Sequence, residues 1–269
     1  IDSGTLDRAL LQTFQKGTEG WKGGNGRDAA ALQVVPVEKG SENKCLQIRA
    51  QHNRGRMTAI ASQDKIDLKK YPHLSFECAI PKGVNVNMQV QIDGAWYEVK
   101  LTAPKGAYNV MHDAGVKADD TWQAVSVDLL ALARKARPER KNHVLRAVMF
   151  GDMARTTQKA NATWRIDNLS VSAWAEKQGK FKLASADVTG IKGYSVAIDR
   201  RLDTEPVKKV THAEAQLEHT FDAPGTWYVH VRAVDNNGNW SDTRHMVYAT
   251  APAEEAGEDT PEEILEEDE

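Results

Sequence analysis

Val86 to Leu101 (Val-Asn-Met-Gln-Val-Gln-Ile-Asp-Gly-Ala-Trp-Tyr-Glu-Val-Lys-Leu) leaves the chain little conformational choice. Asp93-Gly94 is a dipeptide that accepts positive φ at both central positions of a type I′ turn, so the segment is expected to close as a two-residue β-hairpin. Counting outward from Ile92 opposite Ala95, Val90 faces Tyr97, Met88 faces Val99 and Val86 faces Leu101. One side of the hairpin is therefore apolar, as a strand pair lying on a core requires. A slip of one residue would turn that whole set toward water.

The opposite side places Asn87 across from Lys100, Gln89 across from Glu98 and Gln91 across from Trp96. An indole beside a row of amides suits a sugar, because a flat aromatic face stacks on the C–H side of a pyranose while amides donate to and accept from vicinal hydroxyls. Asn87, Gln89, Gln91, Trp96, Glu98 and Lys100 are accordingly the candidate carbohydrate-binding residues. The alternative is a wet polar face carrying one tryptophan.

Short apolar runs with turn residues between them recur along the first two thirds of the chain, at Leu32 to Val37, Cys45 to Ala50, Met57 to Ser62 and Leu74 to Ile80. After the hairpin come a glycine-punctuated loop, a strand at Trp122 to Leu129, a short helix at Leu129 to Ala136, and strands at Val144 to Phe150 and Thr163 to Ala173. Ile1 to Leu11 has weak helical spacing. This rhythm predicts an all-β antiparallel sandwich over residues 1–176. A second strand set, with Gly193 to Ile198 alternating and Trp227, Val229, Val231 and Ala233 on one face, predicts a smaller sandwich over residues 180–250. Asp235 to Asn239 reads as a turn, since it lacks the distal bidentate carboxylate of a calcium loop. Cys45 and Cys78 allow one disulfide or two buried thiols; Cys78 shares the phase of Phe76 and Ile80 whereas Cys45 is out of phase with Leu46 and Ile48, which favours thiols.

Charge divides the chain unevenly. Residues 251–269 read as an acidic disordered tail or linker, with ten carboxylates from Ala253 onward and no Lys or Arg. Without those ten, 35 basic residues face 28 acidic ones, a surplus of seven. Arg134, Lys135, Arg137, Arg140 and Lys141 concentrate part of it on an expected surface loop; without interleaved aromatics they give no expectation of nucleic-acid binding. No apolar run is long enough to span a bilayer. A chain that begins at Ile1 is expected to be a processed or excised product. A phosphate-binding glycine loop, a His-Glu-x-x-His, a Gly-x-Ser-x-Gly and a cysteine cluster are all missing from the sequence, so the expectation is a protein that is not an enzyme. A glycoside-active carboxylate pair, which needs no sequence signature, stays as an alternative.

Five motifs occur in a telling order: Phe14 with Gly20-Trp21; Ile66-Asp67-Leu68 before Leu74-Ser75-Phe76; Trp122 before Val127-Asp128-Leu129; Phe150-Gly151-Asp152; and Trp164 to Leu169. In that order they resemble the galactose-binding-like jelly-roll carbohydrate-binding modules over residues 14 to 174. The resemblance implies a non-catalytic module of a secreted or cell-surface protein that takes a polysaccharide or glycan. It also implies a structural Ca2+, for which Glu19 and Asp167 are the acidic candidates; Gln15 stands where an acidic residue is frequent in the family. Thr189 to Ser195 together with Trp227 to Ser241 resemble the fibronectin type III and immunoglobulin-like modules of large bacterial surface proteins. That implies a spacer beside neighbouring domains of a larger extracellular chain. A purely structural or adhesive pair of sandwiches is the competing reading.

Overall fold

The computed structural model describes residues 1–252 except 2, 4, 5, 39, 40, 62, 63, 105, 156–158 and 186. The acidic segment 253–269 lies outside the described residues. The chain folds almost entirely as β-structure. In order come β1 (Arg8–Gln12), β2 (Lys22–Gly23), β3 (Ala30–Pro36), β4 (Lys44–Ala50), β5 (Ala59–Ile60), β6 (Ile66–Asp67) and β7 (His73–Ala79). Then follow β8 (Asn87–Ile92), β9 (Ala95–Lys100), β10 (Asn109–Asp113), β11 (Trp122–Asp128), α1 (Leu129–Ala136), β12 (Val144–Gly151) and β13 (Thr163–Ser172). One sheet has the order β11-β7-β13-β4-β3, with β1 also on β13; the other has the order β10-β9-β8-β12-β5-β2, with β6 also on β12. The two sheets enclose one core, in which Leu46, Ile48, Phe76 and Ile166 of the first sheet meet Met88, Val90, Val99 and Phe150 of the second.

The hairpin has the register its turn dictates. Asp93 (φ 53°) and Gly94 (φ 85°) are both left-handed, and Ile92 pairs with Ala95, Val90 with Tyr97 and Met88 with Val99. The aromatic residues of the recurring motifs form the centre of the core. Trp21 stacks on Phe150 at 5.7 Å, and Phe14, Phe76 and Trp164 close around these two rings. Trp21 Nε1 keeps its hydrogen bond inside, donating to Gln12 Oε1 at 2.8 Å. The helix begins where Asp128 caps it, the side chain accepting from Ala131 N at 2.9 Å. It buries Leu129, Leu130 and Ala133.

Three expectations need correction. Residues 8 to 12 are a strand, because the segment pairs with Leu169 to Ser172 of β13 and that ladder outweighs a weak helical spacing. Met57 to Ser62 yields only Ala59–Ile60 as strand. The loop after the hairpin contains a strand, β10, which pairs parallel with β9.

The remaining strands are β14 (Gln178–Lys182), β15 (Ile191–Asp199), β16 (Gln216–Thr220), β17 (Gly225–Asp235) and β18 (Arg244–Thr250). A two-stranded β14-β16 sheet faces a three-stranded β15-β17-β18 sheet across a separate core of Phe181, Leu217, Phe221, Tyr194, Val229 and Tyr248. Asp235 turns the chain as expected, accepting from Asn239 N and Asn239 Nδ2, both at 2.8 Å.

This second sandwich docks on the outer face of β11, β7 and β13. Ala124 packs with Tyr228 and Val247, and the Ser126 and Thr226 hydroxyls are 3.0 Å apart. Arg244 Nη2 donates to Glu77 Oε2 and to Asp167 Oδ2, each at 2.8 Å. His245 N donates to Glu77 Oε1 at 3.0 Å, and Lys117 pairs with Asp203 at the edge. Cys45 and Cys78 are free and buried. Cys78 points into the core between the sheets, whereas Cys45 packs with Val37, Ala79 and Trp122 outside it, so one sheet separates the two sulfurs.

Candidate functional site

Side chains on the outer face of the second sheet fall into rows fixed by strand register. One row crosses six of the seven strands as Lys22, Ile60, Met149, Gln89, Glu98 and Val110. The adjacent row is Ala147, Gln91 and Trp96. Tyr108 continues it one residue ahead of β10, its ring stacked against Trp96 with centroids 6.1 Å apart and planes 24° apart. Gln91 and Trp96 are thus cross-strand neighbours directed away from the core, as counting from the turn predicts.

The six predicted sugar contacts divide into two groups. Gln91, Trp96 and Lys100 are partly exposed, whereas Asn87, Gln89 and Glu98 are buried at 1%, 0% and 1% exposure. These three therefore do not line a surface, and their assignment as contacts is corrected. The described residues after the hairpin, 101–104, 106 and 107, fold back over them. Asn87 Oδ1 accepts from Leu101 N at 2.8 Å and Ala103 N at 3.2 Å, while Asn87 Nδ2 donates to Glu98 Oε1 at 2.7 Å. Glu98 Oε2 accepts from Ala107 N at 3.2 Å and from Gln89 Nε2 at 3.4 Å. Gly106 lies so close that a Cβ there would meet Glu98 Oε1 at 2.6 Å. This amide and carboxylate cluster is a foundation under the loop, and the loop in turn carries Tyr108 to Trp96. Lys100 sits at the edge with Asp113, Nζ to Oδ2 3.0 Å. The Gly115 amide and then Lys100 hold the Asp113 carboxyl below the ordinary range.

What stays open on this face is an aromatic pair, Trp96 with Tyr108 at 37% exposure, flanked by Gln91, Met149, Ile60 at 40% and Val110 at 50%. The arrangement offers a flat apolar platform beside a donor-acceptor amide. Tyr108 is a functional candidate that the sequence did not signal, since Gly106-Ala107-Tyr108 reads as plain loop and only the parallel β10 pairing places it. Among the described residues the carboxylate in the middle of the face is Glu98, which is covered and bonded.

The two acidic candidates for calcium do not come together. Glu19 Oε1 accepts from Phe14 N at 2.8 Å, closing a turn in which Phe14 (φ 59°) and Glu19 (φ 49°) are both left-handed. Asp167 is fully buried, pairs with the Arg244 guanidinium, and accepts from Asn168 N at 2.8 Å. A carboxylate neutralised by a guanidinium does not fit a Ca2+ ligand set. No group of three or more metal-ligating side chains occurs among the described residues.

No family model matches the sequence, and no curated protein does. Among solved structures, the chain is similar to a xylan-binding domain from CBM 22 at 11% identity and TM-score 0.35, covering 62% of this chain and 95% of that one. A CBM22-1 xylan-binding domain from Paenibacillus barcinonensis shares 12% identity at TM-score 0.33, covering 65% of this chain and all of that one. A beta-1,2-glucanase from Parabacteroides distasonis shares 14% identity at TM-score 0.30 over 92% of this chain and 39% of that one. In fold class the chain is an all-β protein of sandwich architecture.

Proposed function

We propose that this protein is a non-catalytic polysaccharide-binding module whose contact surface is the outer face of the second sheet, centred on Trp96. The observation that carries this reading is the Trp96–Tyr108 stack beside Gln91, held in place by the buried Asn87, Gln89 and Glu98 cluster beneath the loop. A glycan gains from a platform that is already ordered, since side chains fixed before binding lose little entropy on binding. The pair supplies the stacking surface, Gln91 reaches hydroxyls in the ring plane, and Met149 and Ile60 extend the apolar strip. The second sandwich we read as an immunoglobulin-like module joined to the first, in a secreted or cell-surface protein.

Trp96→Ala should lower affinity for a bound polysaccharide at least tenfold, which corresponds to about 1.4 kcal/mol, with the circular dichroism spectrum unchanged. Tyr108→Ala should lower it less. The measurement is retention in affinity electrophoresis across a panel of soluble polysaccharides, with parallel assay for reducing ends. Unchanged retention of Trp96→Ala would sink the reading, and released product would show an enzyme.

A further inference from the structure

The open face carries cations that no described carboxylate neutralises. Arg146 lies in the bulge of β12, between Leu145 opposite Ile92 and Ala147 opposite Gln91. The other side of the sheet there is the sealed core, with Leu145 and Ile92 at 0% and 1% exposure, while Arg146 is exposed. Its side chain is therefore directed to the Trp96 side, on a strand two spacings, about 10 Å, from the strand that carries Trp96. Lys22 ends the neighbouring row on the same face and is exposed.

Beyond the hairpin tip lie Arg140 and Lys141, both exposed. The tip itself is not free to answer them. Asp93 Oδ2 bonds His143 Nδ1 at 2.8 Å and Oδ1 accepts from Val144 N at 2.9 Å. Asp113 is engaged by Lys100 at 3.0 Å, and Glu98 is covered. Asp67, on β6 beside β12, accepts from Lys69 N at 2.9 Å, and Glu139 is the neighbour of Arg140 in the sequence; among the described residues no ion pair joins a carboxylate to Arg146 or Lys22.

We infer that the polysaccharide taken by this face is acidic, with Arg146 binding a ring carboxylate or sulfate next to the unit stacked on Trp96. Lys22, Arg140 and Lys141 add positive potential at the two ends. The inference rests on the polysaccharide reading above. A guanidinium is the suitable reader, because its planar donors match a carboxylate or sulfate in two parallel hydrogen bonds. Charge complementarity favours this occupant over a neutral chain, whose hydroxyls accept from a guanidinium but leave its charge unmatched.

The test uses the full chain and three polymers: polygalacturonate, the same polymer fully methyl-esterified, and dextran sulfate. The unmodified protein should bind polygalacturonate about tenfold tighter than its methyl ester at low salt, and the gap should narrow as salt screens the charges. Arg146→Gln should remove that preference while leaving binding of the methyl ester unchanged, and Arg146→Lys should restore part of it. Stronger binding of dextran sulfate than of polygalacturonate would make sulfate the group that is read. Equal affinity for the acid and the ester, or a preference that survives Arg146→Gln, overturns the inference; if Trp96→Ala still weakens both polymers, the polysaccharide reading stands without it. A single-stranded DNA oligonucleotide bound as tightly as polygalacturonate and indifferent to Trp96→Ala would also overturn it, showing cations that take any polyanion.

Discussion

Asn87, Gln89 and Glu98 show how position in the fold decides what a polar side chain does. All three lie on the side of the hairpin away from the core, yet the described residues of the following loop, among them Leu101, Ala103 and Ala107, close over them and convert a wet row into a buried network. Removing one member leaves the others without partners in a place water does not reach, and an unmatched buried polar group costs about 1–3 kcal/mol. Asn87→Ala orphans the Leu101 amide and one Glu98 oxygen and leaves the Ala103 amide only its bond to Val86 O at 3.3 Å, so it should lower stability by about 2–4 kcal/mol and loosen Tyr108. Urea unfolding followed by tryptophan fluorescence checks the first effect, and loss of polysaccharide retention checks the second. A stable Asn87→Ala variant with undiminished binding would refute the network as the support of the platform.

Among the elements, the hairpin and β10 behave oppositely with respect to sequence. The hairpin register follows from Asp93-Gly94 and alternation alone, because a two-residue turn with two positive φ values fixes every cross-strand pair. The parallel strand β10 carries no comparable signal: Asn109 to Asp113 is mostly polar and follows a loop. Its placement depends on the edge of β9 being available and on the loop having somewhere to fold. Gly106 is the hinge of that argument, since an added Cβ would collide with Glu98 Oε1 at 2.6 Å and Val110 Cγ2 at 2.7 Å. Gly106→Val should displace the loop, separate Tyr108 from Trp96 and weaken glycan retention more than it lowers the melting temperature. Retention and melting measured on the same preparation distinguish this from general unfolding.

At the scale of the whole molecule, the two sandwiches share a buried ionic contact. One guanidinium, Arg244, is held between Glu77 and Asp167. Burial, and the neighbouring Glu77 charge against the pull of Arg244, push the Asp167 carboxyl up to about 7. Arg244→Ala would strand two buried carboxylates and should cost about 3–5 kcal/mol. Residues 1–176 alone would lose the same partner and should melt below the intact chain. Histidines complete the contact: His230 Nδ1 and His245 Nδ1 lie 2.6 Å apart, with His230 Nε2 at 3.3 Å from Asp199, and His73 Nε2 reaches Ser126 at 2.8 Å. Burial lowers His73 and His245 to about 4 and also lowers His230.

A histidine whose folded value lies below 6.5 is charged more readily when unfolded, so its contribution is lost as pH falls from 6.5 toward 4. Asp167 acts in the opposite sense, since its raised value favours the folded state as pH falls below 7. Burial raises the Glu38 carboxyl as well, and three histidines against these two carboxyls give a net loss on acidification. The melting temperature should therefore be lower at pH 5 than at pH 7, and His245→Gln should shrink the difference; calorimetry at the two pH values is the check. The acidic segment 253–269 enters at this scale as a tethered competitor. Exposed ion pairs contribute roughly 0–1 kcal/mol each, so a chain ending at Pro252 should bind acidic glycans modestly tighter at low salt and equally at high salt.

The sequence by itself determined what depends on neighbours along the chain. It set most of the strand succession, though not β1 or β10, together with the turn at Asp93-Gly94, the helix at Leu129 to Ala136 and the outward pairing of Gln91 with Trp96, because alternation, φ preference and helical periodicity are local physics. It also carried the aromatic residues that meet around Phe150, though not their contact with one another. Tertiary structure decided everything that depends on what covers what. A loop buries Asn87, Gln89 and Glu98, and a second domain takes Asp167 for Arg244. A bulge turns Arg146 onto the outer face of the second sheet, and a parallel edge strand delivers Tyr108 to Trp96. Burial and pairing between distant segments leave no trace in local periodicity, since a polar residue has the same alternation whether water or another strand faces it.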